Sequence, residues 1–381
     1  MALAVVAVML SWIVAGVVPP THAAESPPSA LASDETIILF PSRAVRESNG
    51  ESGEWVIHLR GWVFEREEDS RWRNAAIDKL GEEMGLTKDE ISSDRFRDRA
   101  RSFLADNERG KRIGIKVGGR SVVMPETSED GHFAGQIRLS DTELFAATAE
   151  RGVDKKDRKP RTLQLTIENA AAAEVIAGSV RIVEPQGVLV VCDIDDTIKV
   201  SHIGDRAKLL RATFVEPFVA VPGMNELCAK LASAGAEFHY LSASPWQLYE
   251  PLAAFLRDNG FPEGCITLRE FRMKDERIVN LFKSPSEYKL AELSRLAAQM
   301  PERRFVLIGD STEHDAELYA EFADANPGRV LLIAIRATPV DRAGRERAEA
   351  ALKELPLGVQ SVVFEDPASV NLELSPAASP K

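Results

Sequence analysis

The chain contains little cysteine, which argues against a fold held together by disulfides. Its 381 residues include three cysteines, Cys192, Cys228 and Cys265, too few and too widely spaced for a cross-linked framework. We expect them to be small buried hydrophobic residues. The content of 44% hydrophobic and 28% charged residues is that of a globular protein, and the length allows two domains.

Basic residues are also in deficit. The sequence has 47 Lys and Arg against 59 Asp and Glu, which gives a net charge of −12. This balance disfavours broad attraction to nucleic acid or to an anionic membrane. We therefore predict no nucleic-acid partner, and we expect any anion to be bound by local groups.

Long apolar runs are scarce, and one of spanning length occurs only at the N-terminus. It extends from Ala2 to Val18 and is followed by two prolines and the small-residue segment Thr21 to Ala24. This order is typical of a secretory signal peptide, so we predict a signal peptide over residues 1–24 and an exported protein, periplasmic or secreted. The alternative is that this segment, about 17 residues long, stays uncleaved and anchors the protein in a membrane.

The next part of the chain changes from a polar leader to a strand-rich pattern. Residues 25–35 are small, polar and proline-containing, which predicts a flexible leader. Within 36–185, apolar and polar residues alternate, as in 55–59 and 163–167, and this indicates half-buried strands of an antiparallel sheet. Residues 71–105 instead carry apolar residues at helical spacing. We predict a β-rich, sandwich-like N-terminal domain with a helical insert.

After residue 185 the pattern changes to short unbroken apolar runs, each followed by a polar loop and a helical segment. The runs lie at 188–192, 238–241, 305–308 and 330–335, and the helical segments include 246–259, 286–298 and 342–353. Unbroken runs are typical of strands buried on both faces. We predict an α/β domain over 186–370, with a doubly wound, Rossmann-like parallel sheet, and a flexible tail over 371–381. In such a sheet the ligand lies beyond the carboxyl ends of the strands.

An acidic cluster follows the first of these runs. Asp193, Asp195 and Asp196 occur within four positions, and carboxylates so close together repel one another unless a cation binds there. One carboxylate could attack a phosphorus atom while another transfers protons. The alternative is an acidic turn or a helix cap.

Polar residues also follow the other runs. Ser242 precedes Pro245 at the start of a helix, whose amide groups can face an anion. Lys289 lies in a later helix, and Gly309 precedes Asp310 and Asp315. Hard oxygen ligands such as these carboxylates suit Mg²⁺. Taken singly, a serine such as Ser242 is more often a plain turn or cap residue, and a lysine such as Lys289 is usually solvated.

These motifs, in this order, resemble the four motifs of the haloacid dehalogenase superfamily. They are DIDDT at 193–197, LSASP at 241–245, the lysine of EYKL at 287–290 and GDSTEHD at 309–315. The longer strings VCDIDDTIKVS, TFVEPF, VPGM and YLSASPWQLY look more narrowly like phosphatidate phosphatases of the yeast actin-patch type, with the lipin catalytic domain a more distant relative. The resemblance covers about 186–370. It implies a haloacid dehalogenase-type fold, in which the short intervals between the motifs leave room for little or no cap.

The resemblance implies roles for the acidic residues. Asp193 would attack phosphorus and form an aspartyl phosphate, while Asp195 would protonate the leaving alkoxide and later activate water. Mg²⁺ would lie between Asp193, the main-chain carbonyl of Asp195, and Asp310. Asp315 would orient Lys289 or a water on the metal.

It also implies roles for the remaining polar residues. Ser242 and Lys289 would hold the phosphoryl oxygens. Thr197, Lys199 and Ser244 would complete the substrate-binding side, with Thr197 bracing the loop. Lys199 alternatively faces water.

The resemblance implies phosphatidate as the substrate, and what covers the site bears on how a substrate reaches it. Scaffold elements occupy most of 198–241 and 246–288, so we expect an open site that receives a substrate presented by a surface. Residues 269–283 mix basic and apolar side chains, which suits contact with an anionic membrane surface or an ordinary scaffold segment. Phosphatidate is the predicted substrate. The alternatives are a phosphatase for soluble phosphomonoesters or phosphoproteins, and a module that binds phosphatidate without turnover.

Overall fold

A computed structural model describes most of the chain after the N-terminal segment. The described residues are 27–47, 53–66, 71–149, 162–168, 170, 173–271, 286–338 and 341–370. The predicted signal peptide, the predicted tail and residues 272–283 of the basic and apolar segment therefore lie outside the described residues. No helix within the described ranges has both the length and the apolar character needed to cross a bilayer.

The N-terminal part is built from strands in two sheets. Its strands are β1 (Glu35–Leu39), β2 (Ser42–Arg46), β3 (Trp55–Glu65), β4 (Asp106–Asn107), β5 (Gly114–Val117), β6 (Arg120–Val123), β7 (His132–Leu139), β8 (Thr162–Leu163), β9 (Thr166–Ile167), β10 (Glu174–Ala177) and β11 (Val180–Val183). The long strand β3 pairs antiparallel with β1 and β2 along one edge and with β7 and β4 along the other. A smaller sheet has the order β6-β5-β9.

Three expectations for this part need correction. The sheet is mixed, because β10 and β11 run parallel to β1 and β2. Residues 163–167 do not form one strand: β8 joins the larger sheet and β9 the smaller. Strand β3 is also buried on both faces, since Ile57 and Leu59 pack between the two sheets while Trp62 and Phe64 pack against the C-terminal part. The alternating pattern predicted one exposed face for β3, but the C-terminal part of the chain covers that face.

The predicted helical insert is confirmed. It consists of α1 (Arg71–Glu83), α2 (Lys88–Ser92) and α3 (Asp94–Phe103), and a further helix, α4 (Asp141–Ala149), follows β7. Thr87 caps α2 in a reciprocal arrangement with Glu90, which satisfies backbone amides at the start of the helix. Ile77, Leu80 and Phe96 turn inward and are buried.

The C-terminal part is a mixed α/β structure around a parallel sheet. Its strands are β12 (Gly187–Cys192), β13 (Glu237–Pro245), β14 (Gly264–Arg269), β15 (Arg303–Asp310), β16 (Val330–Arg336) and β17 (Gln360–Phe364). All neighbouring pairs in the six-stranded sheet are parallel, and the order is β14-β13-β12-β15-β16-β17. The strand order changes direction between β12 and β15. In open parallel sheets ligands bind beyond the strand ends at such a point.

Helices connect these strands. They are α5 (Arg206–Phe214), α6 (Met224–Ser233), α7 (Tyr249–Asp258), α8 (Ser286–Gln299), α9 (Asp315–Ala325) and α10 (Arg342–Ala351), with single 3-10 turns at Trp246–Leu248 and Pro367–Ser369. The four predicted apolar runs are all strands, and the three predicted helical segments are helices with shifted ends. Strands β14 and β17 were not predicted, because the buried polar residue Thr267 interrupts the apolar pattern of β14 and the exposed Gln360 and Ser361 begin β17. The three cysteines are buried and free, as expected.

A hydrophobic cluster joins the N-terminal and C-terminal parts. It includes Ile38, Phe40 and Trp62 from the first and Val190 and Trp246 from the second. The ring of Phe40 stacks on Trp246 with centroids 3.9 Å apart. Close to this cluster, the Arg43 guanidinium donates to the Phe238 carbonyl at 2.7 Å. The two parts therefore share a core in addition to the interior of each.

We expect Phe40→Ala to destabilise both parts together, because the ring fills the shared core. The loss should be about 3–5 kcal/mol of unfolding free energy, measured by denaturant-induced unfolding. Phe145→Ala is the matched control, since Phe145 is 62% exposed and should change stability by under about 0.5 kcal/mol. A separate transition of the α/β sheet that Phe40→Ala leaves unmoved would contradict the shared core.

Candidate active site

The site lies at the carboxyl ends of β12, β13 and β15, where the chain leaves the parallel sheet. The amide of Asp193 donates to the Ile308 carbonyl at 2.9 Å, which continues the ladder between β12 and β15 to the start of the loop. Asp196 then adopts a φ of 52°, in the left-handed region that aspartate tolerates better than most residues. Its carboxylate accepts hydrogen bonds from the amides of Ser201, His202 and Ile203. Asp196 therefore shapes the loop.

Asp193 is buried, and both of its side-chain oxygens have partners. Oδ1 lies 2.9 Å from the ammonium of Lys289, and Oδ2 accepts a hydrogen bond from the Thr197 hydroxyl at 2.8 Å. Burial raises the pKa of Asp193 well above its ordinary value, although the charge of Lys289 opposes the rise. The carboxylate is therefore fixed in direction by an ammonium and a hydroxyl.

Lys289 projects from α8 into a group of carboxylates. Its Nζ lies 2.6 Å from Glu313 and 2.7 Å from Asp315, in addition to Asp193. Burial by itself would lower the pKa of this lysine, but the charges of Asp193, Asp315 and Glu313 raise it well above its ordinary value. Lys289 thus places an ammonium within contact distance of three carboxylates of the site.

Asp310 ends β15 and has one satisfied and one unsatisfied oxygen. Oδ1 accepts hydrogen bonds from the amide of Thr312 at 2.6 Å and from the Thr312 hydroxyl. Oδ2 is buried and has no hydrogen-bond partner among the described residues. The preceding Gly309 allows Asp315 to approach, because a Cβ at this position would lie 2.4 Å from the Asp315 Oδ2. Burial, followed by the charges of Asp315 and Glu313, raises the pKa of Asp310 well above its ordinary value.

Four carboxylates form a group that fits a hard cation. One oxygen from each of Asp193, Asp310, Glu313 and Asp315 lies within 4.8 Å of the others. Lys289 offsets part of their charge, and the free Oδ2 of Asp310 is available as a ligand. A divalent ion binds well to oxygen donors of this kind and lowers their mutual repulsion. The side chain of Asp195 lies outside this group.

Asp195 forms a second group with different partners. Its Oδ1 contacts Lys199 at 2.8 Å and Ser201 at 2.7 Å, and its Oδ2 accepts hydrogen bonds from Ser242 at 2.9 Å and Ser244 at 2.8 Å. Burial would raise the pKa of Asp195, but the charge and hydrogen bond of Lys199 and the two hydroxyls of Ser201 and Ser244 lower it well below its ordinary value. The carboxylate is therefore held ionised and fixed.

The structure brings the predicted site residues together at one edge of the sheet. Lys199 is 2% exposed, so the alternative that it faces water is wrong. Ser242 and Ser244 contact Asp195, and Thr197 contacts Asp193. The roles of these residues in binding substrate or metal stay predictions.

Sequence reasoning assigned no role to three further site residues. Glu313 lies inside the last motif, and its position beside Lys289 depends on the turn after β15. Ser201 and Asp196 organise the loop after β12. The only sequence signal for them is their presence within or next to the acidic motifs.

Comparison with known proteins finds relatives of the part of the chain that carries this site. Residues 188–337 match the family model described as "Phosphatidate phosphatase APP1, catalytic domain". Over 158 residues the chain is 32% identical to Phosphatidate phosphatase APP1 of Saccharomyces cerevisiae, covering 40% of this chain and 26% of that protein. Over 187 residues it is 30% identical to an uncharacterized protein of Schizosaccharomyces pombe, covering 48% of this chain and 30% of that protein. The similarity thus spans under a third of either curated relative.

Likeness to solved structures is weak. A mutant ferredoxin-NADP⁺ reductase from Plasmodium falciparum is 8% identical with a TM-score of 0.14, over 87% of this chain and 96% of that chain. A flavohemoglobin from Malassezia yamatoensis is 9% identical with a TM-score of 0.12, over 86% of this chain and 60% of that chain. At these TM-scores neither likeness bears on the fold or on the site.

We expect Asp310→Asn to stabilise the metal-free protein at neutral pH. Because the folded-state pKa of Asp310 is raised, its contribution to stability is lost as the pH rises from the ordinary aspartate value of about 3.9 through the raised one. The uncharged asparagine amide does not ionise, so the variant keeps the stability that the ionised Asp310 costs the wild type. Its melting temperature in chelator at pH about 7 should be higher by about 2–4 °C for each kcal/mol of unfolding free energy recovered.

Adding Mg²⁺ should reverse this order, since a ligand stabilises the folded state that binds it. Wild type should gain more in melting temperature than Asp310→Asn. The exposed Asp324 provides the control variant, Asp324→Asn, which should behave as wild type in both conditions. Equal Mg²⁺-induced shifts in all three proteins would show that Asp310 does not bind the ion.

Proposed function

We propose that the chain is a magnesium-dependent phosphatidate phosphatase of the haloacid dehalogenase type. One observation carries the proposal: Asp193 lies at a strand end with its carboxylate fixed by Lys289 and Thr197, beside a second, separately held acid, Asp195. The match of residues 188–337 to a phosphatidate phosphatase catalytic domain supports it. The strand order, with its change of direction next to β12, is consistent with the proposed fold type.

In the first step, an Asp193 oxygen attacks phosphorus and forms an aspartyl phosphate. Asp195 is ionised in the free site, so it first takes up a proton from the phosphate monoester as that substrate binds beside it. The bond from phosphorus to the leaving alkoxide oxygen then breaks, and Asp195 supplies this proton to make diacylglycerol. Lys289 holds a phosphoryl oxygen and offsets the charge that develops on the transferred group. Ser242 helps to orient both the phosphoryl group and Asp195.

In the second step, water attacks phosphorus and regenerates the enzyme. Asp195, now ionised, accepts a proton from the water as the new bond forms, and the bond from phosphorus to Asp193 breaks. Inorganic phosphate leaves. The hydrogen bonds from Ser242 and Ser244, together with Lys199, keep Asp195 directed at the same place for both transfers.

Mg²⁺ fits the acidic group described above. Asp193 and Asp310 would hold it, with the main-chain carbonyl of Asp195 as the third protein ligand, and Asp315 would orient Lys289. When bound, the ion offsets the negative charge of the carboxylates and of the incoming phosphoryl group. Thr197 and Asp315 meanwhile keep the nucleophile and the lysine in place by direct contact.

Phosphatidate in a membrane surface is the proposed substrate and partner. The similarity to the Saccharomyces cerevisiae phosphatase favours it over soluble phosphomonoesters or phosphoproteins. The N-terminal apolar segment supports export, with cleavage or with retention as a membrane anchor. A nucleophile and an acid are unnecessary for a module that binds phosphatidate without turnover.

The test is phosphate release from phosphatidate vesicles compared with soluble esters such as glycerol 3-phosphate, in Mg²⁺ and then in excess chelator. We expect a specificity constant about 10²-fold higher for phosphatidate, which corresponds to about 2.7 kcal/mol of transition-state binding. Chelator should abolish release. Asp193→Asn is the inactive control and should retain under about 1% of the wild-type activity.

The other possible results of this assay would each contradict one part of the proposal. Preference for a soluble ester would replace the lipid substrate with a soluble one. Full activity in chelator would exclude the metal-dependent mechanism. Vesicle binding without phosphate release would identify a binding module.

A further inference from the structure

The helical insert α1–α3 holds a segment next to the site. This segment, residues 211–218, comprises the end of α5 and the loop that follows it. Glu90 forms an ion pair with Arg211 at 2.8 Å, and Arg95 donates to the Val215 carbonyl at 3.1 Å. Phe103 of α3 packs against Phe214, with ring centroids 5.2 Å apart. The 211–218 segment is thus fixed from outside the parallel sheet.

Arg99 of α3 makes the contacts that reach furthest towards the site. Its NH1 donates to the carbonyl of Thr213 at 2.7 Å and to that of Glu216 at 2.9 Å. Its guanidinium carbon lies 3.9 Å from the centroid of the Phe218 ring, a close cation–π contact. The rigid guanidinium therefore fixes two carbonyls and one ring together, which an apolar side chain cannot do.

The residues after Phe218 are hydrogen-bonded to the loop that carries the site. The amide of Val200 donates to the Val219 carbonyl, and the amide of Val221 donates to the Ile198 carbonyl, both at 2.9 Å. Lys199 and Ala220 form the antiparallel bridge between these two stretches. A shift of the 211–218 segment would therefore move the backbone at Lys199.

The side chain of Lys199 continues the connection to Asp195. Its Nζ lies 4.9 Å from the centroid of Phe218, on whose ring Arg99 also packs. The same Nζ contacts Asp195 Oδ1 at 2.8 Å and Ser201 Oγ at 2.5 Å. Arg99, Phe218, Lys199 and Asp195 thus form a continuous series of contacts from the helical insert to the second acid of the site.

We infer that Arg99 is a positioning residue for the reaction, which fixes Asp195 through Phe218 and Lys199. The inference rests on the proposed function, in which Asp195 protonates the leaving group. It gives the helical insert a part in catalysis, because Arg99 of α3 would position Asp195 although the two residues do not touch. Arg99 itself touches neither substrate nor metal in this scheme.

The test compares substrates whose leaving groups differ in their need for a proton. Diacylglycerol leaves phosphatidate as an alkoxide and needs protonation, whereas p-nitrophenolate leaves as a stable anion. The measured quantity is kcat/KM, because it reports phosphoryl transfer to the enzyme and not the later attack by water. The substrates are phosphatidate in mixed micelles and p-nitrophenyl phosphate, each with the full chain in Mg²⁺.

Arg99→Met keeps the apolar stem on Phe218 and removes the donors. We expect kcat/KM for phosphatidate to fall by about 10-fold or more, within the range of general acid catalysis, and kcat/KM for p-nitrophenyl phosphate to fall by under about threefold. Arg99→Lys should recover part of the loss, since lysine keeps a donor and the charge over the ring. Asp195→Asn should show the same selectivity in a stronger form.

Arg97→Ala is the matched control. Arg97 lies in the same helix but bonds to Asp78 and Asn74 within the insert, so its loss should weaken the insert without changing the ratio between the two substrates. Equal losses on both substrates in Arg99→Met, or a ratio like that of Arg97→Ala, would overturn the inference. If Asp195→Asn also lost both activities equally, the acid role of Asp195 in the proposed function would fail with it.

Discussion

The charge balance around Lys289 is the constraint on which the site depends. One buried ammonium contacts Asp193, Glu313 and Asp315, which come from the ends of two strands and the start of a helix. Buried charges cost much free energy unless they are paired. The turns after β12 and β15 must therefore bring these groups together, and Gly309 and Thr312 serve that purpose. With four carboxylates to one lysine, the same group favours a cation and an anionic substrate together.

The two acids of the DIDDT motif are separated by their partners. Asp193 is held by Lys289 and Thr197, whereas Asp195 is held by Lys199 and three serines. The left-handed backbone at Asp196 turns the chain after both acids, and Lys199 and Ser201 of the following loop contact Asp195. Different surroundings can give neighbouring carboxylates different chemical roles.

Much of this arrangement could be predicted from the sequence, since its signals are local. Unbroken apolar runs identified the strands β12, β13, β15 and β16, and the motifs at their ends identified the acids, Ser242 and Lys289. Contacts that join distant parts of the chain left no such signal. Three such features depend on tertiary packing: the second buried face of β3, the contact of Glu313 with Lys289 and the contact of Arg99 with Phe218. The parallel pairing of β10 and β11 was missed because alternation gives no strand direction.

Covalent capture of the phosphoryl group tests the central claim, that Asp193 is the nucleophile, most directly. The enzyme is mixed with phosphatidate radiolabelled in its phosphate, quenched in acid during turnover and digested into peptides. We predict an acid-stable label that hydroxylamine releases, on the peptide that contains Asp193. Turnover with the label on another residue, or with none on the enzyme under conditions that trap acyl phosphates, would contradict the account.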